Sequence, residues 1–194
     1  MIVATYTARH AGAINHWLRE RGLIRALGEP LGDRTYVTDD LTDHVILVDF
    51  EHGGRQVLEA CDALERPVLV LEDNPTLFTE IRQACENYVY GDVGDDRVWE
   101  LARVDDAALV VSLTPERDRT EAVVGLETDT PRIVRVDGTD TAREVTERGA
   151  AGVIYPDAIA AERVGDDLEA LLQGEIDREE FARQGGEHFE AVSG

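Results

Sequence analysis

The sequence predicts an α/β fold in which helices cover both faces of a doubly wound, mostly parallel sheet of six strands. Two observations support this prediction. Short, continuously apolar runs rich in β-branched residues recur along the chain, and amphipathic stretches with helical spacing separate them. Such alternation is typical of parallel sheets that are buried on both sides. Right-handed crossovers then favour the strand order 3-2-1-4-5-6.

The six predicted strands are apolar runs bounded by Gly, Pro, Asn or Asp, residues that end strands and begin turns. In chain order they are HVILVD (44–49), PVLVLE (67–72), NYVYGD (87–92), AALVVSL (107–113), RIVRV (132–136) and AGVIYP (151–156).

Each predicted helix lies between two strands or after the last one, and its apolar residues recur at helical spacing. In the first helix these residues are Val57, Leu58, Cys61 and Leu64. The predicted helices span 55–64, 76–85, 96–102, 118–126, 141–148 and 157–173.

The chain divides into a core and two flanking parts. Residues 44–173 form the predicted α/β domain, which is a usual size for one core. Residues 1–43 are expected to hold one helix at 11–21 and a linker rich in Gly and Pro. Residues 174–194 form an acidic tail, expected to be a short helix with a frayed end.

The composition is strongly acidic. Asp and Glu number 41 against 19 basic residues, all of them arginine, and the net charge is −22. At molar salt the Debye length falls to roughly 3 Å, so self-repulsion is screened. We therefore expect a halophilic protein. A DNA mimic, or a protein that binds a basic partner, is less favoured because the acids are scattered, and a nucleic-acid partner is not expected.

No apolar run approaches the roughly 20 residues that span a bilayer, and no secretion signal is evident. The chain is therefore expected to be cytoplasmic, without direct membrane insertion. Its two cysteines and five histidines show no metal-ligand spacing, so no metal site is predicted.

The turn after the first strand reads DFEHGG (49–54), where a dinucleotide-binding Rossmann unit has Gly-x-Gly-x-x-Gly. Gly54 is in register with the third glycine, and Gly53 is an additional one. Asp49 and Glu51 stand at the first two glycine positions. Glu72 closes the second strand, where an acidic residue usually binds the ribose hydroxyls.

Six segments in order resemble one family. They are HVILVDFEHGGRQV, PVLVLEDNP, YVYGD, ALVVSLTPERD, RIVRVDG and ERGAAGVIYP. Together they resemble the N-terminal lobe of the regulator-of-potassium-conductance domain, also called the Trk-type NAD-binding domain. The resemblance covers about 43–172. The segment RTYVTDDLTDHVI resembles the linker before this lobe in monovalent cation:proton antiporter-2 transporters.

This resemblance implies a non-enzymatic regulatory domain of potassium or monovalent-cation transport. Such lobes form homodimers, bind NAD or another adenine nucleotide, and act with a membrane transporter or antiporter subunit. The implied cofactor-binding residues include the third glycine, the ribose acid and the aspartate after the third strand. The full predicted set is Gly53, Gly54, Arg55, Glu72 and Asp92, with no catalytic or metal residue.

The two carboxylates in the turn predict a degenerate site. A side chain at Glu51 fills space that a pyrophosphate needs, and like charges about 4 Å apart repel by about 1 kcal/mol in water. The N-terminus of the following helix favours an anion, and Arg55 and His52 offset part of the repulsion. A cation held between Asp49 and Glu51 is a further, less favoured hypothesis.

Two other functions stay open. One is a structural or interaction module that has lost its ligand. The other is a small NAD-dependent oxidoreductase, which is disfavoured because a chain without lysine has no Tyr-x-x-x-Lys proton donor.

Overall fold

The computed structural model describes residues 35–183. The helix expected at 11–21 and the end of the acidic tail lie outside this range. Within it, seven strands form one sheet. They are β1 Thr35–Tyr36, β2 Val45–Val48, β3 Val68–Glu72, β4 Asn87–Tyr90, β5 Leu109–Ser112, β6 Arg132–Arg135 and β7 Gly152–Ile154.

The strand order is β1-β4-β3-β2-β5-β6-β7. Strands β2 to β7 are all parallel, and their order is the predicted 3-2-1-4-5-6. The expected count of six strands was wrong, because β1 adds a seventh, antiparallel strand beside β4. Residues 35–36 fall within the predicted linker, since two residues are too few to show a strand period.

Within the described range six α-helices follow strands β2 to β7 in turn, each beginning and ending within two residues of its prediction, and residues 178–183 are also helical. The six helices are α1 Gly54–Ala63, α2 Phe78–Ala84, α3 Asp96–Leu101, α4 Arg117–Val124, α5 Thr139–Glu147 and α6 Pro156–Gln173. None of the helices between residues 35 and 183 has both the length and the apolar character to cross a bilayer.

The core lies on both faces of the sheet because successive side chains of a strand point to opposite sides. On β2, Ile46 and Val48 pack in the cluster that includes residues of α3, α4 and α5. Leu47 packs in the other cluster, with residues of α1 and α2. All four residues of β2 are apolar and buried, so this strand itself offers no polar side chain to a ligand. The carboxyl ends of β2, β3 and β5 meet at one edge, which positions the candidate site.

Candidate functional site

In the turn after β2, Asp49 stands at the first glycine position in a left-handed backbone conformation. Asp49 has a φ of 69°, in the left-handed region that glycine favours and that Asp tolerates better than most residues. Its carboxylate is buried, and Oδ1 lies 3.0 Å from Nδ1 of His52. The charge of Asp49 is therefore directed at His52, inside the turn.

Gly54 begins α1 at a position where a larger residue does not fit. A Cβ there would lie 2.7 Å from Cδ2 of Phe50 and 3.3 Å from Cδ2 of Leu47. The residue before it, Gly53, has a φ of 98° and caps the helix. Gly54 thus has the packing role of the third glycine, which lets a helix approach its strand closely.

Glu72 closes β3 and is bound to the backbone around it. It is 4% exposed, and its Oε2 accepts the N–H of Phe50 at 2.9 Å. Its Oε1 accepts the N–H groups of Asp73 and Asn74, each at 2.9 Å. A carboxylate offers about four acceptor positions, so these three bonds leave little capacity for another donor. Its binding to a ribose stays a prediction.

Behind Glu72 lies an ion pair that the sequence did not reveal. Nη1 of Arg119, on α4, lies 2.7 Å from Oδ1 of Asp73, and the two side chains are 14% and 19% exposed. Burial alone lowers the pKa of the Arg119 guanidinium, but the nearby carboxylates of Asp73, Glu116 and Glu72 more than offset it and raise the pKa. Arg119 therefore stays charged beside the end of β3.

Asp92 shapes the turn that leads from β4 into α3. Its Oδ1 accepts the N–H of Gly94 at 3.0 Å, and its carbonyl oxygen accepts the N–H of Asp95 at 2.9 Å. This is the local bonding that makes Asp a common turn residue. Asp92 is not among the residues that line the cavity described next, so a ligand role for it stays a prediction.

A cavity of about 650 Å³ lies over the N-terminus of α1. Three of the predicted residues, Gly53, Gly54 and Arg55, line it. The whole lining consists of residues 50–56 with Leu77, Glu80 and Arg135. Nη2 of Arg55 pairs with Oε1 of Glu80, which links α1 to α2. These three consecutive residues share the cavity with the exposed Glu51, whereas Glu72 and Asp92 do not line it.

Arg135 is a cavity residue that the sequence analysis missed. It is the last residue of β6 and reaches the loop from the second strand beyond β2. The segment RIVRV was interpreted only as a buried strand. The available signal was a cation at the carboxyl end of a parallel strand, where ligands bind in open α/β sheets.

Between residues 35 and 183, no three His, Cys, Asp or Glu side chains converge in a way that could hold a metal ion. Asp49, one half of the hypothetical cation site with Glu51, contacts His52 instead.

Comparison with known proteins identifies the domain. The TrkA-N domain family matches residues 45–156, more than half of the chain. The chain belongs to this family. The resemblance drawn from the six sequence segments is thereby confirmed. The match begins at β2 and ends as α6 begins, so it includes the β2–α1 turn, Glu72, Asp92 and Arg135.

One curated relative of this TrkA-N domain is the putative cation/proton antiporter YbaL of Escherichia coli K12. The two are 24% identical over 156 residues, which is 78% of this chain and 28% of the relative. This chain thus spans 28% of the length of that protein.

Solved structures share the fold. The crystal structure of the TrkA-N domain of the E. coli inner membrane protein YbaL is 26% identical with a TM-score of 0.61, covering 68% of this chain and 98% of that one. The GsuK channel bound to NAD is 19% identical with a TM-score of 0.56, covering 75% of this chain and 26% of that one. The second likeness concerns the fold alone.

Proposed function

We propose that this TrkA-N domain is the cytoplasmic regulatory part of a monovalent-cation transporter, and that it senses NAD or another adenine nucleotide without catalysing a reaction. The observation that carries the proposal is the family match over residues 45–156. The relative from E. coli is named as a cation/proton antiporter, and GsuK has been solved with NAD and with ADP. These names support a transporter partner and a nucleotide ligand.

The geometry of the cavity supports an anionic ligand. The first N–H groups of a helix have no partner within the helix, and the helix dipole favours negative charge there. Within the described residues, no side chain caps the N-terminus of α1, and its first N–H, that of Gly54, donates to the carbonyl oxygen of Phe50 at 3.0 Å. His52, Arg55 and Arg135 add cationic or titratable groups to the lining. A phosphate-bearing ligand suits this arrangement.

Glu51 opposes that ligand, which is why the proposed site is degenerate. It replaces the second glycine, the one that lets backbone approach a pyrophosphate, and it is exposed at the cavity. We expect weaker NAD binding than an intact glycine-rich loop would give.

Thermal unfolding in molar potassium chloride with NAD, NADH, ATP, ADP and AMP tests the nucleotide proposal. The salt is required because the net charge is −22. A ligand at one hundred times its Kd adds about 2.7 kcal/mol to the free energy of unfolding. A rise in Tm with at least one nucleotide is the expected result. Unchanged unfolding with all five contradicts nucleotide sensing.

Dimerisation and the membrane partner belong to the same proposal. We expect a homodimer, and the molar mass from light scattering after size exclusion, in the same salt, distinguishes it from a monomer. Co-purification with an antiporter or channel subunit from the native membrane tests the transporter partner.

A second candidate function is an interaction module without a ligand. Asp49 and Glu51 place carboxylates at the first two glycine positions, which disfavours NAD binding and so favours an interaction module over an NAD-dependent enzyme. Lack of a nucleotide response together with dimerisation is its expected signature. Turnover of NADH with a carbonyl substrate would instead support an oxidoreductase.

A further inference from the structure

Arg119 and Asp73 form an ion pair that crosses the carboxyl edge of the sheet. Asp73 directly follows β3, and Arg119 lies in the first turn of α4, the helix after β5. In the sheet, β2 lies between β3 and β5. Nη1 of Arg119 is 2.7 Å from Oδ1 of Asp73, so the pair joins the two sides of the sheet past the end of β2.

This ion pair lies where the order of the strands reverses. The chain proceeds from β2 to β3 and β4 on one side of the sheet, and from β5 to β6 and β7 on the other. In open α/β sheets, ligands bind in the crevice outside the carboxyl ends of the strands at such a reversal. Neither Arg119 nor Asp73 lines the cavity over α1, so the pair is a separate feature of the same edge.

The hydrogen bonding of Arg119 in this pair is incomplete. The side chains of Arg119 and Asp73 are only 14% and 19% exposed, yet Nε and Nη2 of Arg119 are buried and have no partner among the described residues. A buried donor without an acceptor costs free energy, which is regained when the donor meets water or a ligand. The pair therefore opens more readily than a buried ion pair whose donors are all satisfied.

Ser112 is a further buried polar group at this edge. It is the last residue of β5, it is fully buried, and its Oγ makes no hydrogen bond with any residue that the structure describes. Val110, two residues earlier, packs in the same cluster as Val123 and Val124 of α4. Ser112 therefore points to the face that α4 covers, and its hydroxyl becomes accessible only when this edge opens.

We propose that the Arg119–Asp73 pair is an autoinhibitory latch, which keeps the crevice between β2 and β5 closed until a ligand displaces it. This inference rests on the proposed nucleotide function and names a contact that regulates ligand entry. A protein that is open for only part of the time binds its ligand more weakly, in proportion to the open fraction. Removal of the latch should therefore increase both access to the crevice and affinity.

Access to the crevice is measured without a ligand, as the alkylation rate of a thiol at position 112 in molar potassium chloride. The reporter substitution Ser112→Cys is combined with Arg119→Gln. The matched control combines it with Arg143→Gln, which removes the same charge from a side chain on α5 that is 72% exposed. We expect Arg119→Gln to speed alkylation at position 112 by about fivefold or more, and the control to leave it unchanged.

Cys61 distinguishes a latch from a general loss of stability. It is buried on α1, and peptide mass spectrometry follows its alkylation separately from that at position 112. Acceleration at position 112 alone supports the latch. Equal acceleration at both positions means that the whole domain opens, and this result overturns the latch, as does an unchanged rate at position 112.

Calorimetric titration with ADP and NAD tests the effect on binding, with wild type, Arg119→Gln and Asp73→Asn compared in the same salt. The two substitutions change the net charge in opposite directions, and molar salt screens that difference. Both remove the latch, so both should lower the Kd by about fivefold or more. Circular dichroism and the Tm without ligand check that each variant is folded.

The outcomes separate this inference from the proposed function. If wild type binds a nucleotide and either variant fails to gain affinity, nucleotide sensing stands and the latch is overturned. Weaker binding by Arg119→Gln with stronger binding by Asp73→Asn is one such result, and it would show that Arg119 acts through its charge. If alkylation at position 112 depends on Arg119 while no variant binds either nucleotide, the latch stands and nucleotide sensing fails.

Discussion

The backbone N–H of Phe50 donates to Oε2 of Glu72 at 2.9 Å, and this bond ties the turn after β2 to the carboxyl end of β3. The other oxygen of Glu72 accepts two N–H groups from the turn after β3. One buried carboxylate therefore fixes the backbone of two neighbouring turns. The acid that the family pattern assigns to a ligand is, in this chain, also part of the loop's own framework.

Replacing Glu72 with Gln should destabilise the domain. The amide keeps the shape but removes the negative charge and one of the two acceptor oxygens, and it puts an NH₂ group against a backbone N–H. A hydrogen bond to a charged group contributes about 1.5–3 kcal/mol, so we expect a loss of about that size. Chemical unfolding at fixed salt measures it.

Glu59→Gln is the control for this change, since Glu59 is exposed on α1 and its replacement alters the net charge equally. If the two variants unfold at the same denaturant concentration, the carboxylate of Glu72 does not hold the turns together.

Gly54→Ala should destabilise the domain by about 1–3 kcal/mol, the usual cost of overpacking. The new methyl group would lie 2.7 Å from Cδ2 of Phe50, and that ring is buried. The change in the free energy of unfolding is the measurement.

Gly165→Ala is the control and should instead raise the free energy of unfolding. Gly165 lies inside α6, and a Cβ there meets nothing within 4 Å. Alanine stabilises an open helix position by about 0.5–1 kcal/mol relative to glycine. If Gly54→Ala also stabilises the domain, close packing of α1 on its strand does not require glycine at position 54.

The sequence predicts those strands whose burial produces a recognisable run of apolar residues. The runs that form β2 and β3 are continuously apolar because both of their faces are covered, and this pattern indicates parallel strands from the sequence alone. Thr35–Tyr36 gave no such signal, since a two-residue edge strand is defined by its pairing with Val89 and Tyr88.

The candidate site was predictable only in part, because its residues meet across strands. Gly54 and Glu72 follow from their place in the glycine-rich pattern and at a strand end. The bonds of Glu72 to three N–H groups depend on how the turns fold back, which no residue spacing encodes. Arg135 is 81 residues after Gly54 (135 minus 54), and only the order of the strands brings the two to one cavity.

The stability of the domain should fall as the pH drops below 6.5 because of His44. Its ring is fully buried, Nε2 lies 2.9 Å from the carbonyl oxygen of Ala102, and Nδ1 has no partner in the described range. Burial lowers the pKa of His44 from its ordinary value of 6.5, although the Ala102 carbonyl and the Asp106 and Asp43 carboxylates raise it and Arg103 lowers it further.

The direction of this pH effect follows from the difference between the pKa of His44 in the folded and in the unfolded chain. Above pH 6.5 the imidazole is neutral in both the folded and the unfolded chain, so its full contribution to stability is present. Below 6.5 the unfolded chain takes up the proton first, and stability is lost until the pH passes the folded pKa. Chemical unfolding from pH 8 to pH 5 should show this loss in wild type and in His52→Gln, and a smaller loss in His44→Gln. An identical pH dependence of all three proteins would exclude His44 as the source.

Removing the side chain of Glu51 should strengthen nucleotide binding. Glu51 occupies the second glycine position of the loop and lines the cavity. A like-charge pair at about 4 Å costs about 1 kcal/mol in water and more when desolvated, so Glu51→Gly should lower the Kd for ADP by about fivefold or more. Calorimetric titration in molar potassium chloride measures the change.

A pair of variants at this position separates charge from volume. Glu51→Gln removes the repulsion but keeps the side chain, whereas Glu51→Gly removes both. If Glu51→Gln recovers most of the gain, electrostatics limits binding. If only Glu51→Gly gains, the side chain blocks the approach of backbone to phosphate, which is the task of the second glycine. Glu162→Gln, at an exposed position of α6, controls for the change in net charge. Equal affinity in wild type and both Glu51 variants would mean that the loop carboxylate does not weaken the site.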